Sequence, residues 1–245
     1  MKSFHEIIQA AGKCPPKKIA VAAAHDREVL EGIKDAQNQG LAEAVLFGDV
    51  GEIKSIAKEI DLDLNTVEVI AEDNHLSAVR RATVAVRTGK ADMVMKGKVS
   101  TADILRAVLD KESGLRSGRI LSHVAVFEAP GYKRLMLMTD GGINIAPTLN
   151  QKIDLIKNAV SVAQSLGTEI PKVAVITGLE LVNPDMPATL EAALLAKMND
   201  RGQITGCIVD GPLALDIALS KEAARQKGVD SPVAGCADIF LVPNF

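Results

Sequence analysis

Aromatic side chains are scarce in this sequence of 245 residues. It contains no Trp, a single Tyr and five Phe, so aromatic residues make up 2% of the chain. Proteins that bind single-stranded nucleic acid stack bases on exposed aromatic rings, and this chain has few rings to offer. Its formal net charge of -3 provides no basic field for a phosphate backbone or an anionic membrane surface. The composition therefore argues against nucleic-acid and membrane partners.

Cysteine is equally sparse. Cys14, Cys207 and Cys236 lie far apart, form no C-x-x-C pair and show no metal-ligand spacing with the four histidines. We expect reduced, mostly buried thiols and no metal site. The sequence also lacks a basic and apolar leader, and no apolar stretch approaches the length of about 18 residues that a membrane-spanning helix needs. These absences predict a cytoplasmic protein.

Aliphatic residues are abundant instead, and hydrophobic residues together make up 47% of the chain. Short β-branched runs alternate with longer amphipathic ones, which is typical of a mainly parallel sheet flanked by helices. We predict strands at residues 18–24, 42–47, 67–71, 92–96, 122–128, 135–139, 173–177, 204–209 and 239–242. We predict helices at residues 27–39, 53–60, 75–86, 101–109, 149–166, 188–198 and 213–226.

Two features interrupt this alternation. Residues 124–128 and 135–139, joined through Ala-Pro-Gly-Tyr, are predicted to form an antiparallel hairpin. Residues 113–118, which contain Gly, Ser and Arg, break the apolar rhythm. We therefore predict two α/β domains, one over residues 1–118 and the other over residues 119–245.

Residues 96–106 are the strongest candidate for a functional segment. Lys96 ends a predicted strand, and Ser100 and Asp103 have the spacing of a capping box at the start of the next helix. Backbone N–H groups and the helix dipole favour an anion at such a start. Arg106 follows about 9 Å along the axis, and its side chain could reach back toward that anion. An ordinary capped helix with exposed lysines explains the same residues equally well.

Two other predicted strand ends carry glycine and polar residues. Asp140, Gly141 and Asn144 could orient a ligand or simply shape a sharp glycine turn. Asp210 and Gly211 favour a capped turn over a ligand site. No P-loop is present, and no G-x-G-x-x-G follows the first strand, which weakens a dinucleotide interpretation. A histidine at position 123, within an apolar strand, is interpreted as a core residue.

Six stretches of the chain, taken in order, resemble the phosphate acetyl/butyryl transferase family, and within it the butyryl-transferring members. The resemblance extends over essentially the whole chain from Ser3. Several stretches in register are far more specific than any single motif. They are KADMVMKG at 90–97, LSHVAVFE at 121–128, NPDMPATL at 183–190, DRGQI at 200–204, DGPLALDIA at 210–218 and VAGCADIF at 233–240.

The resemblance implies a fold and an activity. The expected fold is two α/β domains with mainly parallel sheets, of the isocitrate/isopropylmalate dehydrogenase-like type. The expected reaction is reversible transfer of a short-chain acyl group, butyryl or similar, between coenzyme A and inorganic phosphate. Coenzyme A thioester is then a substrate, and no cofactor or metal is required. The family further implies a homodimer or a higher homo-oligomer.

The resemblance also assigns residues. The run Ser-Thr-Ala-Asp-Ile-Leu-Arg from Ser100 matches the position where a family arginine holds the phosphoryl group, which makes Arg106 the implied catalytic clamp. The implied phosphate-binding residues are Lys96, Gly97, Lys98, Ser100, Thr101 and Arg106. The implied residues of the substrate and coenzyme A cleft are Asp140, Gly141, Asn144, Asp210 and Gly211.

One departure from the family pattern concerns the end of the sequence. Family members continue past the point matching Phe245 with a segment that carries a Ser-Arg pair and an Asp. To these the family mechanism assigns transition-state stabilisation and thiol deprotonation, and they are absent from this sequence. We therefore carry an alternative hypothesis, a catalytically impaired, shortened homologue that only binds coenzyme A or phosphate. A nicotinamide-dependent decarboxylating dehydrogenase would share the fold, but no convincing set of acidic metal ligands or nucleotide-binding loop is present.

Overall fold

A computed structural model of the chain describes residues 1–243. The chain divides into two compact units, which we call the N-terminal unit (Ile8–Gly118) and the C-terminal unit (Met1–Ile7 with residues from Arg119 onward). The chain thus passes from one unit to the other between Gly118 and Arg119. That each unit is an independently folding domain stays a prediction.

The N-terminal unit is built on a four-stranded sheet in the order β3-β2-β1-β4, and all its strand pairs are parallel. A helix that the sequence pattern did not predict, α1 (Phe4–Ala11), comes first in the chain. The elements that follow are β1 (Lys17–Ala22), α2 (Arg27–Asn38), β2 (Ala42–Gly48), α3 (Val50–Glu59), β3 (Glu68–Ala71), α4 (His75–Arg87), β4 (Met93–Lys96) and α5 (Thr101–Val108).

Each helix from α2 to α5 begins at a polar residue whose side chain accepts a hydrogen bond from the helix backbone. These N-caps are Asp26, Asp49, Asn74 and Ser100. Such caps satisfy N–H groups that a helix start leaves unpaired. Because the strands are parallel and each cap follows a strand, all four caps lie toward the carboxyl edge of the sheet.

The C-terminal unit contains a five-stranded sheet in the order β5-β6-β9-β7-β8. Its β5 and β6 pair in antiparallel fashion, which confirms the predicted hairpin, and the remaining pairs are parallel. The mainly parallel α/β prediction is therefore confirmed. The elements are β5 (Ala125–Phe127), β6 (Met136–Thr139), α6 (Leu149–Ser165), β7 (Lys172–Ile176), α7 (Pro187–Asp200), β8 (Ile208–Leu213), α8 (Leu215–Leu219), α9 (Lys221–Gln226) and β9 (Ile239–Leu241).

Two predictions between residues 204 and 226 of this unit were wrong. The strand predicted at 204–209 is β8, which begins at Ile208 and extends to Leu213. The helix predicted at 213–226 is two short helices, α8 and α9. The chain breaks between them at Ser220, which is extended and caps α9 by accepting a hydrogen bond from the Ala223 N–H at 3.2 Å. The side-chain cap at Ser220 therefore starts a new helix, although the apolar pattern continues through this residue.

Both units have aliphatic cores, as the composition predicts. In the N-terminal unit, Leu30, Leu46 and Ile53 are fully buried on one face of the sheet. In the C-terminal unit, Leu155 and Leu195 are fully buried between the sheet and its helices. Within residues 1–243, every helix is too short or too polar to cross a membrane.

Candidate functional site

The loop after β4 is held tightly against the end of β1. The Gly97 N–H donates to the Ala22 carbonyl and the Lys98 N–H donates to the Ala23 carbonyl, each at 2.8 Å. A Cβ atom on Gly97 would lie 2.2 Å from the Ala23 carbonyl oxygen. Only glycine permits this approach, so the residue fixes the path by which the chain enters α5.

Helix α5 begins with a polar pair. The Ser100 Oγ accepts from the Asp103 N–H at 3.1 Å and donates to the Asp103 Oδ2 at 2.7 Å. Because the Asp103 carboxylate bonds the hydroxyl of Ser100, only half of the predicted capping box forms. The N–H groups of Thr101 and Ala102 have no acceptor within the helix, since they belong to its first turn. They remain available to an anion.

Arg106 lies in the last turn of α5, and its side chain reaches back along the helix to Asp103. Its Nη1 lies 2.6 Å from Asp103 Oδ1, and its side chain is 72% exposed. The hydrogen bond from Ser100, and after it the one from Arg106, lowers the pKa of Asp103, so this carboxylate is ionised near neutral pH. A guanidinium carries five N–H donors, and most of those on Arg106 remain open to a ligand. Asp103 thus orients a cation that can bind phosphate bidentately.

The two lysines of the segment make other contacts. Lys96 Nζ donates to the carbonyls of Gly97 at 3.2 Å and Val99 at 3.0 Å, which ties it to its own loop. Lys98 Nζ lies 3.5 Å from Glu52 Oε2, in a pair whose side chains are more than half exposed. Both ammonium groups add positive charge at the carboxyl edge of the sheet, but neither contacts Arg106 in the described hydrogen bonds and ion pairs.

Two histidines that the sequence analysis did not single out lie at the same edge. His25 follows β1, is 4% exposed, and its Nδ1 has no hydrogen-bond partner within residues 1–243. Its ring meets that of His75 edge to face, with 5.0 Å between centroids. Burial lowers the pKa of His25; Glu52 opposes this shift, whereas His75 and Lys98 add to it. The position of His25 at a strand end was the available signal.

In the C-terminal unit, Asp140 is 2% exposed and organises the turn after β6. Its Oδ1 accepts from the N–H groups of Gly142 at 3.0 Å and Ile143 at 2.9 Å. Its Oδ2 accepts from the Asn144 amide, which also donates to the Leu121 carbonyl at 3.0 Å. Burial raises the pKa of Asp140, but these hydrogen bonds outweigh burial and the net shift is downward. Asp140 and Asn144 therefore hold the Gly141–Gly142 turn in place.

His123 is not the core residue that the sequence predicted. Strand β5 begins only at Ala125, so His123 lies outside it and is exposed. Its backbone N–H is hydrogen-bonded to Asp140, and its Nδ1 would lie 3.8 Å from a Cβ atom on Gly141. An exposed imidazole therefore borders the glycine turn. The strand is shorter than its apolar run, and periodicity alone does not reveal where pairing stops.

Asp210 and Gly211 lie within β8, and the prediction that they follow a strand was wrong. Asp210 pairs in register with Ala174, and its Oδ1 accepts from the Gly211 N–H at 2.8 Å. A Cβ atom on Gly211 would lie 2.8 Å from the Val175 Cβ and 3.3 Å from the Ala192 Cβ. The absence of a side chain at Gly211 is therefore required by packing between β7, β8 and α7. Among residues 1–243, no group of three His, Cys, Asp or Glu residues could hold a metal ion.

These features define a class of protein. The chain has two compact α/β units with mainly parallel sheets, and in one of them the Arg106 side chain reaches from the last turn of α5 toward the capped start of that helix. The sequence profile described as "Phosphate acetyl/butaryl transferase" matches residues 3–78 and 71–245. The chain belongs to this family.

Individual relatives agree with the profile. The chain is 56% identical over 244 residues to the phosphate butyryltransferase of Clostridium acetobutylicum, a match that covers 100% of this chain and 81% of the relative. It is 50% identical to the phosphate butyryltransferase of Clostridium beijerinckii, over 99% of this chain and 80% of the relative. It is 47% identical to the phosphate acetyltransferase of Thermotoga maritima, over 93% of this chain and 77% of the relative.

Solved structures show the same similarity. A branched-chain phosphotransacylase from Enterococcus faecalis V583 superposes with a TM-score of 0.81 at 32% identity, over 93% of this chain and 79% of that one. A phosphotransacetylase from Streptococcus pyogenes superposes with a TM-score of 0.74 at 20% identity, over 99% of this chain and 82% of that one. At that identity the second likeness supports the fold alone.

Proposed function

We propose that this chain is a phosphate acyltransferase that reversibly transfers a short-chain acyl group, butyryl or similar, between coenzyme A and inorganic phosphate. The observation that carries the proposal is similarity along the whole chain to phosphate butyryl- and acetyltransferases. These comparisons favour a transferase over the alternative of a homologue that only binds its ligands. The protein is further proposed to be cytoplasmic.

The chemistry of this reaction matches the residues at the start of α5. The coenzyme A thiol, on losing its proton to a base, attacks the carbonyl carbon of the acyl phosphate, and phosphate departs as the thioester forms. Negative charge develops on the carbonyl oxygen and on the departing phosphate, so cations and N–H donors near those oxygens lower the barrier. In the reverse direction the same groups hold phosphate as the nucleophile.

Arg106 is the proposed clamp on the phosphoryl group. Its open N–H donors, the free N–H groups of the first turn of α5 and the two nearby ammonium groups support this role. The proposed phosphate site consists of Lys96, Gly97, Lys98, Ser100, Thr101 and Arg106. The proposed substrate and coenzyme A contacts of the C-terminal unit are Asp140, Gly141, Asn144, Asp210 and Gly211. For Gly211 the packing described above restricts any contact to its backbone.

A homodimer or larger homo-oligomer is also proposed. Helix α7 is apolar on two faces: Ala192 and Leu195 are buried, while Leu190 and Leu194 are 37% and 51% exposed on another face. A helix with two apolar faces usually packs on both sides. Sedimentation equilibrium of the chain and of its Leu194→Lys variant tests this, and we expect the variant to shift toward monomer.

The function is tested by phosphate-dependent release of thiol from butyryl-CoA, followed with a thiol-reactive dye. We expect release that saturates with phosphate and disappears when sulfate replaces phosphate. Calorimetric titration of coenzyme A into the same sample separates the two hypotheses. Thiol release supports the transferase, whereas coenzyme A binding without release supports the binding-only alternative. Absence of both contradicts the proposed function.

A further inference from the structure

A groove runs along one face of the sheet in the N-terminal unit. On this face α4 packs against β1, β2 and β4, while β3 lies at the edge of the sheet. The space beside α4 amounts to about 620 Å³, and its floor is formed by Val45, Phe47, Ile70 and Val84. Small-molecule sites commonly have this size and a mainly apolar lining with a few polar groups.

The rim of the groove is strongly basic. Four cationic side chains line it, Lys18, Arg80, Arg81 and Lys90, against a single carboxylate, Glu68. The chain as a whole carries a net charge of -3, so this concentration of positive charge is local. Clustered cations over an apolar surface raise the local concentration of anions.

These cations differ in how far they are already neutralised. Lys18 pairs with Glu68 at 3.6 Å. Arg81 pairs with Glu72 at 3.1 Å, and its guanidinium lies 5.8 Å from the centroid of the Phe47 ring. The side chains of Arg80 and Lys90 make no hydrogen bond or ion pair among those found in residues 1–243. Arg80, however, interacts electrostatically with Asp110 and also lines the cavity that contains Arg106, whereas Lys90 has no such neighbour in the described part of the chain. Lys90 is therefore the cation best placed to meet an incoming anion.

We propose that this groove binds a free aliphatic carboxylate, with its hydrocarbon chain on the floor and its head group at Lys90. The floor favours a hydrocarbon chain because binding removes the apolar surface of both from water. The cationic rim favours a negatively charged head group. The site is distinct from the start of α5, because it lies on a sheet face and not at the carboxyl edge. Arg80 connects the two regions, since it also lines a cavity of about 300 Å³ that contains Asp103 and Arg106.

The test is calorimetric titration of the 245-residue chain with octanoate, below its micellar concentration. We expect octanoate to bind at one saturable site. Octanol, which lacks the charge, should give a much weaker binding heat, and acetate, which lacks the hydrocarbon chain, should give none. Lys90→Gln should lower the affinity for octanoate about two- to fivefold, as expected for one partly exposed charge pair. Ile70→Ala should lower the affinity for octanoate about fivefold, because apolar contact with the hydrocarbon chain is lost.

Matched controls lie on the opposite side of the sheet. Lys58 is an exposed lysine on α3, and Val69 is the neighbour of Ile70 that packs with the cluster under α2 and α3. Lys58→Gln and Val69→Ala should leave octanoate affinity unchanged. Circular dichroism of all four variants confirms that each is folded before it is titrated.

Three results of the calorimetric titrations would overturn the proposal. One is no saturable binding of octanoate, and another is equal binding of octanol. The third is displacement of octanoate by saturating phosphate, which would place the carboxylate at the start of α5. If the chain binds octanoate but releases no thiol from butyryl-CoA, the groove stands and the proposed transferase activity fails. The chain should not co-sediment with anionic phospholipid vesicles. Co-sedimentation would indicate a lipid surface as the partner and would also overturn the proposal.

Discussion

The guanidinium of Arg106 lies 2.6 Å from the carboxylate of Asp103, three residues earlier on α5. The same carboxylate accepts the hydroxyl hydrogen of the N-cap, Ser100, at 2.7 Å. A residue that caps the helix is thereby linked to the cation that we expect to hold phosphate. Because Asp103 keeps Arg106 near the helix start without using most of its donors, phosphate can bind without first recruiting a distant side chain.

The first prediction concerns Arg106 itself. Arg106→Ala should raise the KM for phosphate by at least about tenfold, because charge-assisted bidentate contacts are lost. Arg106→Lys should have a KM for phosphate between those of the unaltered chain and of Arg106→Ala, since lysine keeps the charge but not the planar guanidinium. Steady-state kinetics with butyryl-CoA and variable phosphate measures both variants.

Arg225 offers a matched control for that experiment. It pairs with Glu222 at 2.7 Å with the same three-residue spacing on a helix and is 76% exposed, close to the value for Arg106. Arg225→Ala should leave the KM for phosphate unchanged. An unchanged KM in Arg106→Ala would show that Arg106 does not hold phosphate.

The second prediction concerns the loop glycine. Gly97→Ala should lower the free energy of unfolding by about 1–3 kcal/mol, because the new Cβ atom meets backbone oxygen that cannot move aside easily. Gly32 lies in α2, and a Cβ atom added there would meet nothing within 4 Å. Gly32→Ala should therefore raise the free energy of unfolding by about 0.5–1 kcal/mol. Urea unfolding measures both, and equal effects of the two substitutions would contradict the packing argument.

The third prediction is a pH dependence of stability. The folded-state pKa of His25 lies below its ordinary value of 6.5, chiefly through burial. The unfolded chain therefore binds a proton that the folded chain does not. The stabilising effect is fully present above about pH 6.5 and is lost as the pH falls toward the folded-state pKa. Urea midpoints between about pH 5 and pH 8 should fall on the acid side.

Substitutions at the two histidines identify the group responsible for that slope. His25→Gln should flatten the dependence on pH, whatever its effect on absolute stability. His75→Gln should raise the pKa of His25 in NMR titration, because the substitution removes an electrostatic interaction that lowers this pKa. Titration of His25 at or above about pH 6.5 in the folded protein would rule out this explanation.

The fourth prediction concerns cysteine reactivity. Burial raises the pKa of Cys207 to about 11, so at about pH 8 it is almost entirely thiol. Cys14 is exposed and should be alkylated by iodoacetamide in the folded protein. Cys207 should be alkylated only after unfolding in urea. Peptide mass mapping distinguishes them, and comparable labelling of both cysteines in the folded chain would contradict the burial of Cys207.

The two parallel α/β units could be predicted because their signals are local and repeated. Every predicted strand has a counterpart in the structure, and α2, α4 and α6 begin at the predicted residues 27, 75 and 149, each directly after a polar N-cap. The break between α8 and α9 at Ser220 could not be predicted, and neither could the start of β5 at Ala125, two residues after His123. In both places a hydrogen bond or a missing strand partner decided the boundary, and neither leaves a periodic trace.

By itself, the sequence determined the strand and helix rhythm, the aliphatic composition of the core, the family, and the placement of Arg106 one and a half turns into a capped helix. These depend on residue type and spacing along one segment. Only the tertiary structure decided that Gly97 is pressed against the end of β1, that Asp210 lies inside a strand, and that Lys90 borders an apolar groove. Each of these depends on which distant backbone or side chain comes into contact, and contacts between separate segments are fixed by packing and not by local pattern.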